Sequence, residues 1–398
     1  MQAEDVRKDK VFLFLSLVTD RLSSVSYVRK EHPMSDNLYA PLPKAEVIKA
    51  VERRNPCRVP QVMAQWWGEG LREQHGDGLA PLTAKYPRDA WLGMIPVMHA
   101  KDMGLSWYDS LQQGAGHDAN VVISDWSQLD EFIDKMPDPA RANIYDYDHG
   151  PWYNHEEHLA FGWCLSGLRT LADRAHREDR YLLMGWWNLF YERPWGLRGM
   201  ENLLMDYYLF PEEVHRLNDA LCRLYEGYID RMARDTAPDG LWTSDDLGNQ
   251  RQLMMKPEHF REFLLPYYRR VGEACRRNKM HFWLHSCGDN LEILGDLADA
   301  GVRVFHPVQK HAMDERRAVR EFGDRMTFLA GIDVQHILQE GTPDDVRAEV
   351  RAMIDLFDRR DGGMILAAGN GIVGGTPLAN IDAFLDEGVV YGWKHRGK

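Results

Sequence analysis

Eight short, nearly continuous apolar runs, most of them followed by an amphipathic pattern of helical period, constrain this chain more than any other feature. They fall at 59–67, 121–124, 181–188, 240–246, 280–285, 302–308, 326–332 and 364–368. A strand that is apolar on both faces must be covered on both, as strands of parallel sheets are. Between them lie amphipathic segments at 211–233, 257–278 and 342–359. The last opens with Thr342 and Pro343, a helix cap followed by proline at the first helical position. Strand-helix units repeated over roughly 340 residues predict an α/β fold, a (β/α)8 TIM-type barrel, rather than a doubly wound sheet. The stretches 68–120 and 126–180 exceed ordinary βα loops and are expected to be long insertions holding extra helices. One barrel domain is expected over 44–398, with extra N-terminal helices. Residues 1–43 form an N-terminal extension, of which 1–33 are either poorly ordered or an over-called start before Met34.

Composition removes several functions. A net charge of −13 over 398 residues argues against nucleic acid or an anionic membrane surface as partner. The apolar run at 11–18 is shorter than the roughly 20 residues a membrane span needs. It also lacks a signal-peptide cleavage pattern, and Asp20 and Arg21 close it. The five cysteines are scattered, odd in number and without CxxC spacing, a reduced pattern that predicts a cytoplasmic protein. Gly369, Gly371, Gly374 and Gly375 match neither GxGxxG nor Walker spacing, so nucleotide binding is not expected.

Strand carboxyl ends share one mouth in such a barrel, and here they are polar or aromatic almost throughout. His285 and Cys287 end the run at 280–285, and alternation along a strand points both side chains the same way. Imidazole and thiolate are the donors zinc prefers, although a buried structural cysteine beside a satisfied histidine would look the same in sequence. His306 is either a packed, hydrogen-bonded histidine or a third metal ligand. Of the adjacent Asp245 and Asp246, only one can face the mouth, as ligand or proton carrier, while the other caps a loop or pairs with an arginine. Asp246, Glu192 and Asp333 are the candidate catalytic groups. Gln65, Trp66, Trp67, Trp187, Asn188, Arg193, Gln309 and Asn370 are the candidate substrate-binding residues. The tryptophans either plug the barrel or form a flat apolar wall for a planar ligand.

Several of these stretches resemble the uroporphyrinogen decarboxylase superfamily: TSDDLGNQR at 243–251, KPEHF at 256–260, LHSCG at 284–288, HPVQ at 306–309 and GID at 331–333. So do FYER at 190–193, GMENLLMD at 199–206, PYY at 266–268 and the tail at 362–392. The resemblance spans roughly 44–393 and implies a TIM-type barrel. True uroporphyrinogen decarboxylase carries an arginine-bearing motif, Arg-Gln-Ala-Gly-Arg, where this chain reads QVMAQWWGEG at 61–70. Without that cationic clamp a polycarboxylate would lose hydration unreplaced, so no conversion of uroporphyrinogen is expected. The other branch resembles corrinoid-dependent methyltransferases and O-demethylases, in which zinc sits on His-x-Cys and a later cysteine. That later cysteine should fall near 367–370 and is absent; Asn370, Asp246, Asp333 or Glu192 would complete an oxygen-richer site, or no metal binds. The resemblance implies methyl transfer between a small methoxylated or methylated compound and a corrinoid or thiol acceptor, with zinc as cofactor. The partners it implies are a corrinoid protein, a small-molecule substrate and a second copy of the chain as a homodimer. The alternative is a cofactor-free decarboxylase acting on another carboxylated substrate through Asp246 and His285.

Overall fold

Eight parallel strands form one curved sheet in the computed structural model, which describes residues 37–107, 121–146, 163–164, 167–359 and 361–396. They are β1 (Ala90–Met94), β2 (Trp163–Cys164), β3 (Tyr181–Trp186), β4 (Gly240–Ser244), β5 (His281–His285), β6 (Val302–His306), β7 (Thr327–Ile332) and β8 (Met364–Ala368). From β3 to β8 each strand pairs with the next in sequence, and β1 joins β3 on one side and the two-residue β2 on the other. Five of the expected runs became β4 to β8 with small trimming at their ends, and 181–188 became β3. The (β/α)8 TIM-type architecture is as the apolar runs predict.

Two expectations about strands fail. The run at 121–124 is not a strand; the N–H groups of Val122 and Ile123 both donate to the carbonyl of Leu197 instead. The strand in that region is β1, five residues with a glycine at 93 and prolines at 87 and 96, too short and interrupted to stand out in sequence. The run at 59–67 pairs only through isolated bridges, Gln61 with Leu366 and Trp67 with Ile372, and turns between them with Met63 at φ 57°, so it is an irregular ribbon beside β8. Its base is bolted to the start of β1 by Arg58 and Asp89, both fully buried and paired through two guanidinium nitrogens at 2.7 and 2.9 Å. Asp89 also accepts the N–H groups of Leu42 and Gln61, so ribbon, barrel base and β1 meet on one carboxylate.

Side chains alternate cleanly between two cores. Tyr181, Leu183, Trp242, Trp283, Val304, Leu329, Ile365 and Ala367 pack together inside the barrel, with Val62, Leu92 and Met94. Their neighbours in sequence, such as Leu182, Leu241, Phe282, Phe305, Phe328 and Leu366, face the surrounding helices. The helix Lys44–Val51 plugs the lower end with Val47, Ala50 and Val51, and its last turn is tied to β7 by the Thr327 hydroxyl. Continuing the inward set by steps of two leads to Trp187, Ser244, Asp246, His285, Cys287, His306 and Asp333 at the carboxyl end.

The longer amphipathic patterns form the outer layer. Helix Pro211–Thr236 begins with proline, and helix Pro343–Phe357 carries a capping box between Thr342 and Asp345. The segment expected as one helix at 257–278 is broken by a π-helical turn, Phe260–Leu264, directly before helix Leu265–Arg277. Pro266 lacks the N–H that a continuous α-helix would use there. Residues from Tyr39 onward form one compact unit, so the expected boundary at 43/44 lies a few residues inside it. Residues 1–36 lie outside the described residues. No described helix is long and apolar enough to cross a membrane.

Candidate active site at the carboxyl end of the barrel

His285 is the last residue of β5 and Cys287 follows two residues later, so both side chains keep the inward phase of Trp283. Gly288 at φ 82° then turns the chain; a β-carbon there would fall 2.2 Å from the backbone of Gly248, so the β4 and β5 loops touch at this point. Asp246 comes from the β4 end, and its Oδ1 accepts the N–H of Cys287 at 2.8 Å. Nε2 of His285 lies 3.4 Å from the Cys287 sulfur and 3.6 Å from Asp246 Oδ1. Nitrogen, sulfur and oxygen donors of three residues thus fall within 4.8 Å of one another.

The proton arrangement around His285 follows from its partners. His306 Nε2 lies 2.9 Å from the carbonyl oxygen of Ala368, which can only accept, so Nε2 carries the proton. His306 Nδ1 must then accept, and its partner at 2.7 Å is His285 Nδ1. His285 Nδ1 therefore donates, and the lone pair of its Nε2 is left facing Cys287 and Asp246. Burial holds both histidines neutral, with His285 pushed down to about 4 and His306 well below its ordinary value. A neutral imidazole with one nitrogen held by a hydrogen bond and the other open is the form that binds a metal. This corrects the expectation that His306 is a ligand: both its nitrogens are used, and it orients His285 instead. Replacing His306 with leucine should therefore weaken zinc affinity by about 10- to 100-fold while leaving the three donors in place, as loss of an outer-shell partner does elsewhere. A competition titration against a zinc chelator checks this; an affinity unchanged within a factor of two would remove the orienting role.

The acidic groups divide into two roles. Asp245 is fully buried, and it accepts from the N–H groups of Phe190, Tyr191 and Glu192 and from the Tyr268 hydroxyl. It thus caps the turn into helix Glu192–Arg198 and is the loop-capping member of the aspartate pair. Burial raises its pKa to about 6, against the pull of these four donors. Glu192 receives the Ser244 hydroxyl at 3.1 Å and is raised to about 8, first by burial and then by the charges of Asp245 and Asp246. Both carboxyls are pushed upward by burial, and because four donors stabilise the charge of Asp245 against one hydroxyl on Glu192, Glu192 is the member of the pair that more readily keeps a proton. The Cys287 thiol is pushed up by burial and then by the neighbouring Asp246 carboxylate, so a thiolate here needs a nearby cation. The donor set fits a zinc ion on that ground: one open imidazole nitrogen, one thiol and one carboxylate in a site short of positive charge.

The predicted substrate-binding residues of the ribbon divide between the mouth and its outer side. Trp66 enters the mouth, with its ring 6.1 Å from Trp187 and 6.0 Å from His285. Trp187 is also 6.0 Å from His285, so the two indoles flank the donors. Gln65 and Trp67 face the other way, which corrects their assignment to the mouth. Gln65 is buried between the Tyr86 carbonyl and the Arg88 guanidinium, and Trp67 is fully buried where its backbone bridges Ile372. Arg193 donates to the carbonyl of Trp187 and steadies that strand end. Asn188 sits at φ 69°, with its N–H on the Ser244 hydroxyl. Gln309 accepts the N–H of Gly288, and Asn370 approaches the Cys287 sulfur at 3.9 Å. Asp333 is held away from the first cluster by the N–H groups of Gln335 and His336. It lines a cavity of about 60 Å³ together with Cys287, Gln309 and Asn370. A wider groove of about 470 Å³ runs along the β4 and β5 loops past Tyr208, Arg251, Lys256 and Asp289. Ser244, which positions Glu192, was not singled out in sequence; its signal is its place in the inward series 242, 244, 246.

The profile of the family Uroporphyrinogen decarboxylase (URO-D) matches residues 195–388. The match covers just under half of the chain. That matched stretch contains Asp246, His285, Cys287, His306 and Asp333. Similar proteins lie on the methyltransferase side of this family. A methylated-thiol–coenzyme M methyltransferase of Methanosarcina mazei is 26% identical over 189 residues, 48% of either chain. A methylcobamide:CoM methyltransferase of Methanosarcina barkeri is 30% identical over 133 residues, covering 33% of this chain and 36% of that one. The chain thus matches about half, or less, of the length of these curated relatives. Among solved structures, a methyltransferase from Methanosarcina mazei superposes with a TM-score of 0.57 at 15% identity, covering 87% of this chain and 98% of that one. The shared fold is the barrel described above.

Proposed function

We propose that this uroporphyrinogen decarboxylase-family chain is a zinc-assisted methyltransferase. It would move a methyl group between a small methoxylated or methylated compound and a corrinoid or thiol acceptor. The single observation that carries the reading is the convergence of an open His285 Nε2, Cys287 Sγ and Asp246 Oδ1 beneath the paired indoles of Trp66 and Trp187. His285, Cys287 and Asp246 would hold the ion, and a zinc with an open position supplies Lewis acidity toward a bound oxygen or sulfur. Every other contribution is the chain's own. His306 fixes the imidazole tautomer, and the Cys287 N–H fixes Asp246. Trp66 and Trp187 offer flat apolar surface beside the donors. Glu192, held by the Ser244 hydroxyl and pushed up by burial, would serve as the proton donor to a leaving oxygen. The similarity to proteins that act on methylated thiols and methylcobamide supports the same reading.

The runner-up is a metal-free decarboxylase in which Glu192 supplies the proton to the carbon that loses carbon dioxide; its raised pKa favours that role. One experiment separates the two. The zinc-loaded protein is incubated with methylcobalamin and small thiols, and with methoxylated aromatics and reduced cobalamin, following the corrinoid absorbance. Methyl transfer that is lost on chelation and restored by zinc is expected. Absence of transfer in both directions, with chelator-insensitive release of carbon dioxide from a carboxylated substrate, would install the runner-up.

A further inference from the structure

A second set of metal-type donors stands outside the cluster just described. Asp333 follows β7, His336 lies three residues on, and His311 reaches across from the loop after β6. The Asp333 side chain is only 5% exposed, while those of His311 and His336 are 63% and 59% exposed. Asp333 Oδ1 is occupied by the N–H groups of Gln335 and His336, at 2.9 and 3.2 Å, so the carboxylate cannot swing. Its Oδ2 is left facing His336 Nδ1 at 3.1 Å and His311 Nε2 at 3.3 Å.

We propose that His311, Asp333 and His336 form a second divalent-cation site, for a borderline ion such as zinc, cobalt or nickel, on the rim of the barrel mouth. The geometry suits an ion. Ligands at about 2.0–2.1 Å in a tetrahedron stand about 3.3 Å apart, close to both observed nitrogen–oxygen separations. All three donor atoms lie within 4.8 Å of one another. The two imidazole rings meet edge to face at 5.3 Å, so their nitrogens converge on the carboxylate oxygen rather than stacking. His311 holds a left-handed backbone, φ 67°, in the conformation that presents its ring to Asp333. Two imidazoles and one carboxylate favour borderline transition ions over calcium or magnesium, which prefer all-oxygen shells. The exposed histidines leave the remaining positions open to water. Asp333 also lines the small cavity that touches Cys287, so an ion here would sit beside the first cluster without sharing a ligand with it.

The test uses the full-length protein with Cys287→Ser, which weakens the sulfur-containing cluster, titrated with cobalt(II) and followed by visible absorption. One equivalent is expected to bind with ligand-field bands and no thiolate-to-cobalt charge-transfer band. Adding His311→Ala and His336→Ala should weaken that binding at least tenfold; Asp333→Asn, which keeps the backbone hydrogen bonds at Oδ1, should do the same. Cobalt binding unchanged by these substitutions, or no binding to the Cys287→Ser protein, overturns the site and leaves two imidazoles hydrogen-bonded to an aspartate. The primary cluster is scored separately by the thiolate charge-transfer band of the unsubstituted protein, so either site can fail alone.

Discussion

Protein carrying Cys287→Ser is expected to hold at least about tenfold less tightly bound zinc at the primary cluster than the unsubstituted chain, a difference of about 1.4 kcal/mol or more. The substitution preserves size, and the backbone N–H that Asp246 accepts is untouched. What disappears is the soft anionic donor. A serine hydroxyl stays protonated and binds zinc poorly, while His285 and Asp246 alone leave the ion short of ligands. The cost is sharpened by the surroundings: burial and the Asp246 carboxylate disfavour a free thiolate, so a bound ion gains from neutralising it. Metal analysis of protein purified without chelator, with the outer histidines replaced to silence the rim site, measures the primary cluster directly. Unchanged zinc in that background, or none in the parent, would defeat the metal assignment and with it the proposed Lewis-acid chemistry.

Breaking the pair beneath the barrel should have the largest effect on stability. Asp89→Ala is expected to cost about 3–5 kcal/mol, because the Arg58 guanidinium would stay fully buried with no counter-charge. The N–H groups of Leu42 and Gln61 would lose their acceptor at the same time. The result is to be read from the urea midpoint at constant slope. Replacing both partners with apolar residues of similar size should recover most of the loss, since no charge is then stranded. A loss below about 1 kcal/mol for the single substitution would show that water reaches Arg58 and that the pair is not a structural bolt.

The inward series explains why so much of the candidate site was visible in sequence. His285 and Cys287 are two residues apart on one strand, so alternation alone aligns them. The same rule places Asp246 inward and Asp245 outward, and the structure assigns the capping role to Asp245 through four donors. The ribbon is different: its backbone turns between 62 and 65, with Met63 at φ 57°, so no local period could have separated Trp66 from Gln65 and Trp67. His306 could not be resolved that way. It does lie inward, yet whether an inward histidine binds a metal or steadies another histidine depends on the Ala368 carbonyl, 62 residues away.

Local chemistry in the chain therefore determined the element types, the parallel barrel and the phase of each strand, because apolar runs, caps and a period of two act between near neighbours in sequence. The β1 strand and the loss of a regular strand at 59–67 were decided only by tertiary pairing: each is too short or too irregular to announce itself, and hydrogen bonds to distant partners settle both. The same holds for the chemistry. Residue types at the strand ends marked out a candidate mouth, but the open nitrogen of His285, the upward push on Glu192 and the convergence of His311 with Asp333 and His336 all arise between separate parts of the chain. Their separations in space are set by closure of the barrel, which no local pattern encodes.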